Sequence, residues 1–252
     1  NQALNSGHPV LPIFIFDQNI LQDLPENDPR LGFIHSSLFS INDKLNEVKS
    51  SLHCLVGDPL KVWEELIAKY DIANVFANKD YEPYAIKRDE QVKELLTRHN
   101  IQFQTFKDQV VFEENEVLKD DGKPYTVFTP YKNKWLKRFN VSDIDSDPTV
   151  NYDQFLTSSH PFPTLSDIGF KESSIKVKDF DLSQIERYAL IRNFPTEETS
   201  NLSPHLRFGT VSVRQIIAQR KPSDETFLSE LIWREFFMQI LFHFPDVVNH
   251  NF

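Results

Sequence analysis

Apolar residues along the first hundred positions alternate between short continuous runs and longer periodic stretches. Val10 to Phe16, VLPIFIF, is a near-continuous apolar run closed by Asp17, the pattern of a strand buried on both faces. Pro12 inside it marks a strand start or an edge. Asp28 to Val48 repeats apolar residues at Ile34, Leu38, Ile41, Leu45 and Val48, which predicts a long amphipathic helix with those five inward. Three further strands are predicted over Ser51 to Val56, Ile72 to Ala77 and Ile101 to Phe106. Helices are predicted over Leu60 to Tyr70, with Val62, Trp63, Leu66 and Ile67 inward, and over Tyr84 to His99. Strand and helix alternating through short links predict βαβ units and an α/β doubly wound parallel sheet, Rossmann-like in connectivity. Such a fold opens with a strand in the middle of its sheet. Here only the helix-like stretch Asn1 to Asn5 precedes the first strand, so the chain is expected to be trimmed at its N-terminus.

The pattern changes after Val110. Glu113 to Glu116 is acidic, Lys119 to Pro124 reads as a solvated turn, and VFTP at Val127 to Pro130 leads into a short helix carrying Trp135. Asp143 to Thr164 is rich in Ser, Asp and proline (148, 161 and 163) with little periodicity, which reads as a linker. Helical patterning returns over Ser183 to Phe194, Ser203 to Gln219 and Asp224 to Phe244. The expected organisation is an α/β domain over 1–125, a linker over 126–175, and the beginning of an all-α domain over 176–252.

Composition narrows the chemistry. Six glycines in 252 residues, with no GxGxxG and no Walker pattern, exclude a glycine-rich phosphate loop. The single cysteine, Cys54, excludes an internal disulfide and a cysteine-rich zinc site. The formal net charge of −10 argues against nucleic-acid binding by bulk charge and leaves room for a local basic groove.

Two helical stretches carry candidate chemistry. In the last helix Glu230, Trp233, Arg234 and Phe237 fall at i, i+3, i+4 and i+7, on one face. Glu230 and Arg234 are spaced for an i, i+4 ion pair. In TSNLSP, Ser203 is placed as N-cap and Pro204 at the first helical position, a helix start able to face a phosphate.

Together these stretches resemble the cryptochrome/DNA photolyase family. The match runs through Asn1 to Leu4, GDP at 57–59, YEPYAIKRD at 81–89, VFTPYKNKWLKRF at 127–139, Tyr188-x-x-x-Arg192, TSNLSPHLRFGTVSVRQ and ELIWREFF. The resemblance implies that the helical part begins a domain holding FAD and binding a pyrimidine dimer flipped out of DNA. By the same resemblance Tyr188, Thr199, Ser200, Asn201, Leu202, Ser203, Phe227 and Arg234 contact the flavin. Arg192 contacts a DNA phosphate, Glu230 hydrogen-bonds the damaged bases, Trp233 stacks on the dimer, and Arg234 lies between flavin and DNA. Glu230 and Trp233 are the residues it makes catalytic, and Phe237 is left as core. Glu230, rather than Gln, leans toward cyclobutane dimers. Folate-binding members carry Asn-Glu where this chain has Tyr84-Ala85, so the resemblance leaves the identity of any second, antenna chromophore open. It implies a cytoplasmic, monomeric light-dependent repair enzyme without a membrane segment; the alternative is a cryptochrome-like blue-light receptor without repair. The family extends beyond Phe252, so this polypeptide alone is expected to bind FAD weakly or not at all.

Overall fold

In the computed structural model, residues 1–144, 150–220 and 224–250 are described. Pro148 of the expected linker and the final Phe252 lie outside them. Four strands and nine α-helices follow in order among the described residues: β1 (Ile13–Asp17), α1 (Gln18–Leu21), α2 (Pro29–Glu47), β2 (His53–Gly57), α3 (Pro59–Lys69), β3 (Asn74–Asn78), α4 (Pro83–Arg98), β4 (Gln102–Phe106), α5 (Phe128–Arg138), α6 (Tyr188–Ile191), α7 (Leu202–Phe208), α8 (Val213–Gln219) and α9 (Glu225–His243). The chain forms two compact units. One comprises Asn1–Phe76, Glu90–Gln104 and Pro148–Val177; the other comprises Ala77–Asp89, Thr105–Asp147 and Lys178–Phe252.

In the first unit β1 and β2 run parallel, from Ile13 opposite His53 to Asp17 opposite Gly57. Pro12 sits just before β1, where it needs no donor of its own and its carbonyl accepts the His53 N–H at 2.9 Å. Asp28 caps α2 by accepting the Arg30 N–H, with Pro29 in the first turn. Asp58 caps α3 through the Leu60 and Lys61 N–H groups in the same way. The buried face of α2 is Leu31, Leu38, Asn42 and Leu45, packed on Phe16, Leu52, Leu165, Ile168 and Phe170. Ile41, expected inward, is 49% exposed. Asn42 takes the inward place beside it, because its Oδ1 accepts the otherwise unsatisfied Leu52 N–H at 2.9 Å. A second cluster gathers Val75, Val92, Leu96 and Ile101, with Trp63 and Ile67 of α3 against it.

All four expected strands form, but they pair two by two. β1 joins β2 and β3 joins β4, in separate two-stranded sheets. The apolar pattern identifies a strand; which neighbour it hydrogen-bonds is decided by tertiary partners that the pattern does not encode.

The second unit is built on one aromatic-rich core. Val111, Phe112, Tyr131, Trp135, Leu202, Ile216, Phe227, Ile232 and Phe236 belong to it. The helical patterning over Ser203 to Gln219 divides into two helices. Gly209 ends α7 at φ 71°, a left-handed conformation that glycine adopts without a Cβ clash, and Ser212 starts α8 by accepting the Arg214 N–H.

Candidate functional site

Helix α9 divides into two faces. Phe227, Leu228, Leu231, Ile232, Glu235, Phe236, Gln239 and Ile240 are buried. Glu230, Trp233, Arg234 and Phe237 share the other, open side, as their spacing predicts. Phe237 is 60% exposed, so its expected place in the core is corrected: Phe236 fills that position, one residue and about 100° around the helix away.

The expected Glu230–Arg234 pair does not form either. Glu230 pairs with Arg192, while the Arg234 guanidinium donates to the carbonyls of Gln109 at 2.6 Å and Leu206 at 3.2 Å. Burial holds Arg234 below its ordinary arginine range, against the opposing charge of Glu235. A half-buried guanidinium takes fixed carbonyl acceptors in place of a mobile carboxylate at the rim. The Arg192–Glu230 pair is partly open to solvent and contributes about 1 kcal/mol at most.

Trp233 is half-covered. Its ring stacks on Phe128 with centroids 3.6 Å apart and planes at 10°, and Phe237 lies 5.4 Å away on a similar tilt. Tyr188 packs edge-on against the buried Phe227 at 5.4 Å, with the Arg192 guanidinium 5.9 Å from its ring. Burial, and then the Glu230 charge, raise the Tyr188 phenol above its usual range.

The 199–203 stretch begins α7 two residues earlier than expected. Asn201 is the N-cap, left-handed at φ 50° and without a side-chain cap bond, and the helix starts at Leu202. Ser203 and Pro204 are therefore inside the first turn. Burial of Leu202 on the core pulls the start forward, and asparagine tolerates the left-handed cap. Thr199 is exposed, and the Ser200 carbonyl accepts the Asp181 N–H at 2.9 Å.

Part of the expected set converges. Tyr188, Leu202, Ser203, Glu230 and Arg234 line one open depression of about 570 Å³, with Tyr81, Gln109 and Phe237. Arg192 reaches its rim through Glu230. Thr199, Ser200, Asn201, Phe227 and Trp233 are not part of its lining.

Two residues outside the expected set stand out. Tyr81 is 3% exposed, lines the depression, and its hydroxyl has no hydrogen-bond partner among the described residues. Leaving such a group unpaired costs about 1–3 kcal/mol. Glu235 is fully buried and accepts from Val111 N at 2.6 Å, Phe112 N at 3.1 Å, Trp135 Nε1 at 2.7 Å and Tyr131 Oη at 3.3 Å. Burial pushes its carboxyl up to about 7, against those four donors. Gln239 and His243, one and two turns on, reach the carbonyls of Phe112 and Glu114. Together with Arg214 on Asp108 and Val110, they bind the irregular 108–114 segment through its backbone. A polar residue recurring on the apolar stripe of α9 at 235 and 239 was the legible signal. For Tyr81 no comparable signal exists.

Residues 1–151 match the family described as DNA photolyase. A deoxyribodipyrimidine photo-lyase of Halobacterium salinarum is 30% identical over 99% of this chain and 58% of its own length. The crystal structure of a bacterial class III photolyase from Agrobacterium tumefaciens is similar, with 25% identity and a TM-score of 0.77 over 97% of this chain and 56% of that one. An archaeal photolyase from Sulfolobus tokodaii, whose structure holds two FAD molecules, shares the fold at 24% identity and a TM-score of 0.69, over 99% of this chain and 58% of that one. The chain spans just over half the length of these relatives.

Proposed function

Because the chain belongs to the DNA photolyase family, we propose that it supplies one wall of the flavin and DNA site of a light-dependent deoxyribodipyrimidine photolyase. The observation that carries this reading is the convergence of Tyr188, Leu202, Ser203, Glu230 and Arg234 on a single depression. Its volume lies in the range of about 300–1,000 Å³ typical of small-molecule sites. The half-buried Arg234 guanidinium on its wall suits a ligand with negative charge. The residues present fit FAD in that respect.

When bound, reduced FAD would lend a light-excited electron to a cyclobutane pyrimidine dimer and recover it after the ring has split. The protein side chains have the other roles. Tyr188, Leu202 and Ser203 hold the cofactor from the α6–α7 side, with Thr199, Ser200 and Asn201 toward its phosphates and Phe227 supporting Tyr188 from beneath. Arg234, fixed on two carbonyls, presents its charge between cofactor and DNA. Arg192 meets a DNA phosphate and in doing so releases Glu230, which hydrogen-bonds the damaged bases. Trp233 stacks on the flipped dimer once Phe128 gives way, and base–aromatic stacking contributes roughly 1–3 kcal/mol per base.

The same reading takes the two strand pairs as flanks of one doubly wound, Rossmann-like parallel sheet. It also takes 1–125 as an antenna-type domain, 126–175 as linker and 176–252 as the start of the flavin domain, with a second chromophore, a cytoplasmic location and a monomeric state. Among the described residues no helix is long and apolar enough to cross a membrane.

The deciding experiment is light-dependent restoration of dimer-containing DNA by the natural gene product. Repair that requires blue light, and falls by at least tenfold in Trp233→Ala and Glu230→Ala, supports the reading. A flavin-loaded protein that leaves dimers intact under light is instead a photoreceptor.

A further inference from the structure

We propose that Glu235 is a positioning residue for the depression: through the backbone of residues 108–112 it holds the Gln109 carbonyl in place, and with it the Arg234 guanidinium that faces the ligand. This rests on the flavin reading of that site. Glu235 and Arg234 are neighbours on α9 and grip the same segment from different faces of the helix. Arg234 donates to the Gln109 carbonyl at 2.6 Å. Two residues on, Glu235 accepts the Val111 N–H at 2.6 Å and the Phe112 N–H at 3.1 Å, one on each carboxylate oxygen.

Residues 108–112 lie in no strand or helix, so no regular ladder satisfies their backbone or holds it. Their other carbonyls accept from side chains instead: Asp108 and Val110 from Arg214, Val111 from Lys107 at 3.1 Å and Phe112 from Gln239 at 3.3 Å. Arginine and lysine tips ride on long stems with many rotamers, and they can follow a carbonyl that moves. Glu235 cannot. It is buried, and its Oε1 also accepts the Trp135 indole at 2.7 Å and the Tyr131 phenol at 3.3 Å, two rings of the aromatic core. A carboxylate fixed in this way ties two successive N–H groups to the core through charge-assisted bonds, which are stronger than neutral ones. The other acceptor of Arg234 is the Leu206 carbonyl of α7 at 3.2 Å. The guanidinium is therefore set by two carbonyls, one belonging to a helix and one placed by Glu235, and it lines the depression together with Gln109. Because the guanidinium is a rigid plane, a shift of the Gln109 carbonyl re-aims every N–H it offers to the ligand.

The test is a double-mutant cycle on Glu235→Gln and Arg234→Lys in the natural gene product, with FAD as the probe and affinity read by fluorescence quenching. Gln keeps the volume of Glu235 and loses one of its two acceptor oxygens. Ile232→Ala, a core truncation on the same helix, controls for lost stability. The Arg234 guanidinium is followed by its nitrogen resonances, assigned by their loss in R234K. The expected result is FAD binding weakened by about 3- to 10-fold in E235Q, no further loss when E235Q is added to R234K, and an Arg234 resonance displaced in ligand-free E235Q but not in I232A. Should E235Q not fold, Glu235→Asp, which draws both oxygens back by one methylene, takes its place in the cycle. Unchanged FAD affinity in the Glu235 variant, losses that add in the double variant, an unmoved Arg234 resonance, or an equal loss in I232A overturns the inference. The flavin reading then stands if R234K or Tyr188→Phe weakens binding. If FAD does not bind, or binds indifferently to R234K, Tyr188→Phe and the Glu235 variant alike, both fall.

Discussion

Four donors converge on the Glu235 carboxylate: two backbone N–H groups from Val111 and Phe112, an indole from Trp135 and a phenol from Tyr131. Removing the acceptor leaves all four buried and unpaired. Glu235→Ala is expected to destabilise the protein by roughly 3–5 kcal/mol, measured by urea denaturation. The pH dependence has a definite sign. The carboxyl lies at about 7 in the folded chain, above its usual 4.5. Its contribution is therefore complete below about pH 4.5, declines as pH rises toward 7, and is constant beyond. Glu235→Gln removes that slope, and a slope retained in E235Q would assign it to another group. At the neighbouring position the sequence was only half legible. Residue types at 230, 233 and 234 marked an unusual face, but the partners of that face come from residues 109, 128, 192 and 206, and spacing along one helix carries no information about them.

The elements show where local rules were overridden by packing. The start of α7 was read from residue preference, which favours Ser at an N-cap and Pro just after it. Burial of Leu202 and a left-handed Asn201 moved the boundary instead. Asn201→Gly is expected to leave stability unchanged or slightly raised, while Asn201→Ala costs about 1–2 kcal/mol from the left-handed backbone alone; thermal unfolding of the pair checks this. In α2 the apolar repeat named Leu38 and Leu45 correctly and Ile41 wrongly, because the Asn42 amide is needed inside to satisfy Leu52. Leu38→Ala should cost roughly 2–5 kcal/mol and Ile41→Lys within about 0.5 kcal/mol. Equal costs for the two would restore the original inward face. The existence and order of the strands and long helices were legible because their periods are local. The splitting of Ser203 to Gln219 hinged on one glycine at 209.

At the scale of the molecule, each unit has its own core and its own buried groups with shifted titration. In the first unit His53 and His160 stack with centroids 3.8 Å apart. Burial lowers both imidazoles below their usual 6.5, helped by the charge of Lys69 and, for His53, by His160. Groups depressed in this way leave stability intact above about pH 6.5 and remove it as pH falls below that value. The Glu235 contribution in the second unit thus declines as pH rises from about 4.5 to 7, and the histidine contribution in the first declines as pH falls below about 6.5. A single, superimposable pH profile for both would contradict this.

That opposition can be watched separately because the three tryptophans are divided between the units. Trp63 packs against the Val75–Leu96 cluster of the first. Trp135 donates its indole N–H to Glu235, and Trp233 lies flat on Phe128, both in the second. Three variants, each retaining one indole, would turn the chain into its own set of fluorophores. Emission from Trp63 would follow the loss of the histidine-bearing unit in acid. Emission from Trp135 would shift in colour near neutrality as the carboxyl beside it changes charge. If Trp233 takes the role proposed for it, its emission would change on adding lesion DNA as a nucleobase replaces the phenyl ring on its face.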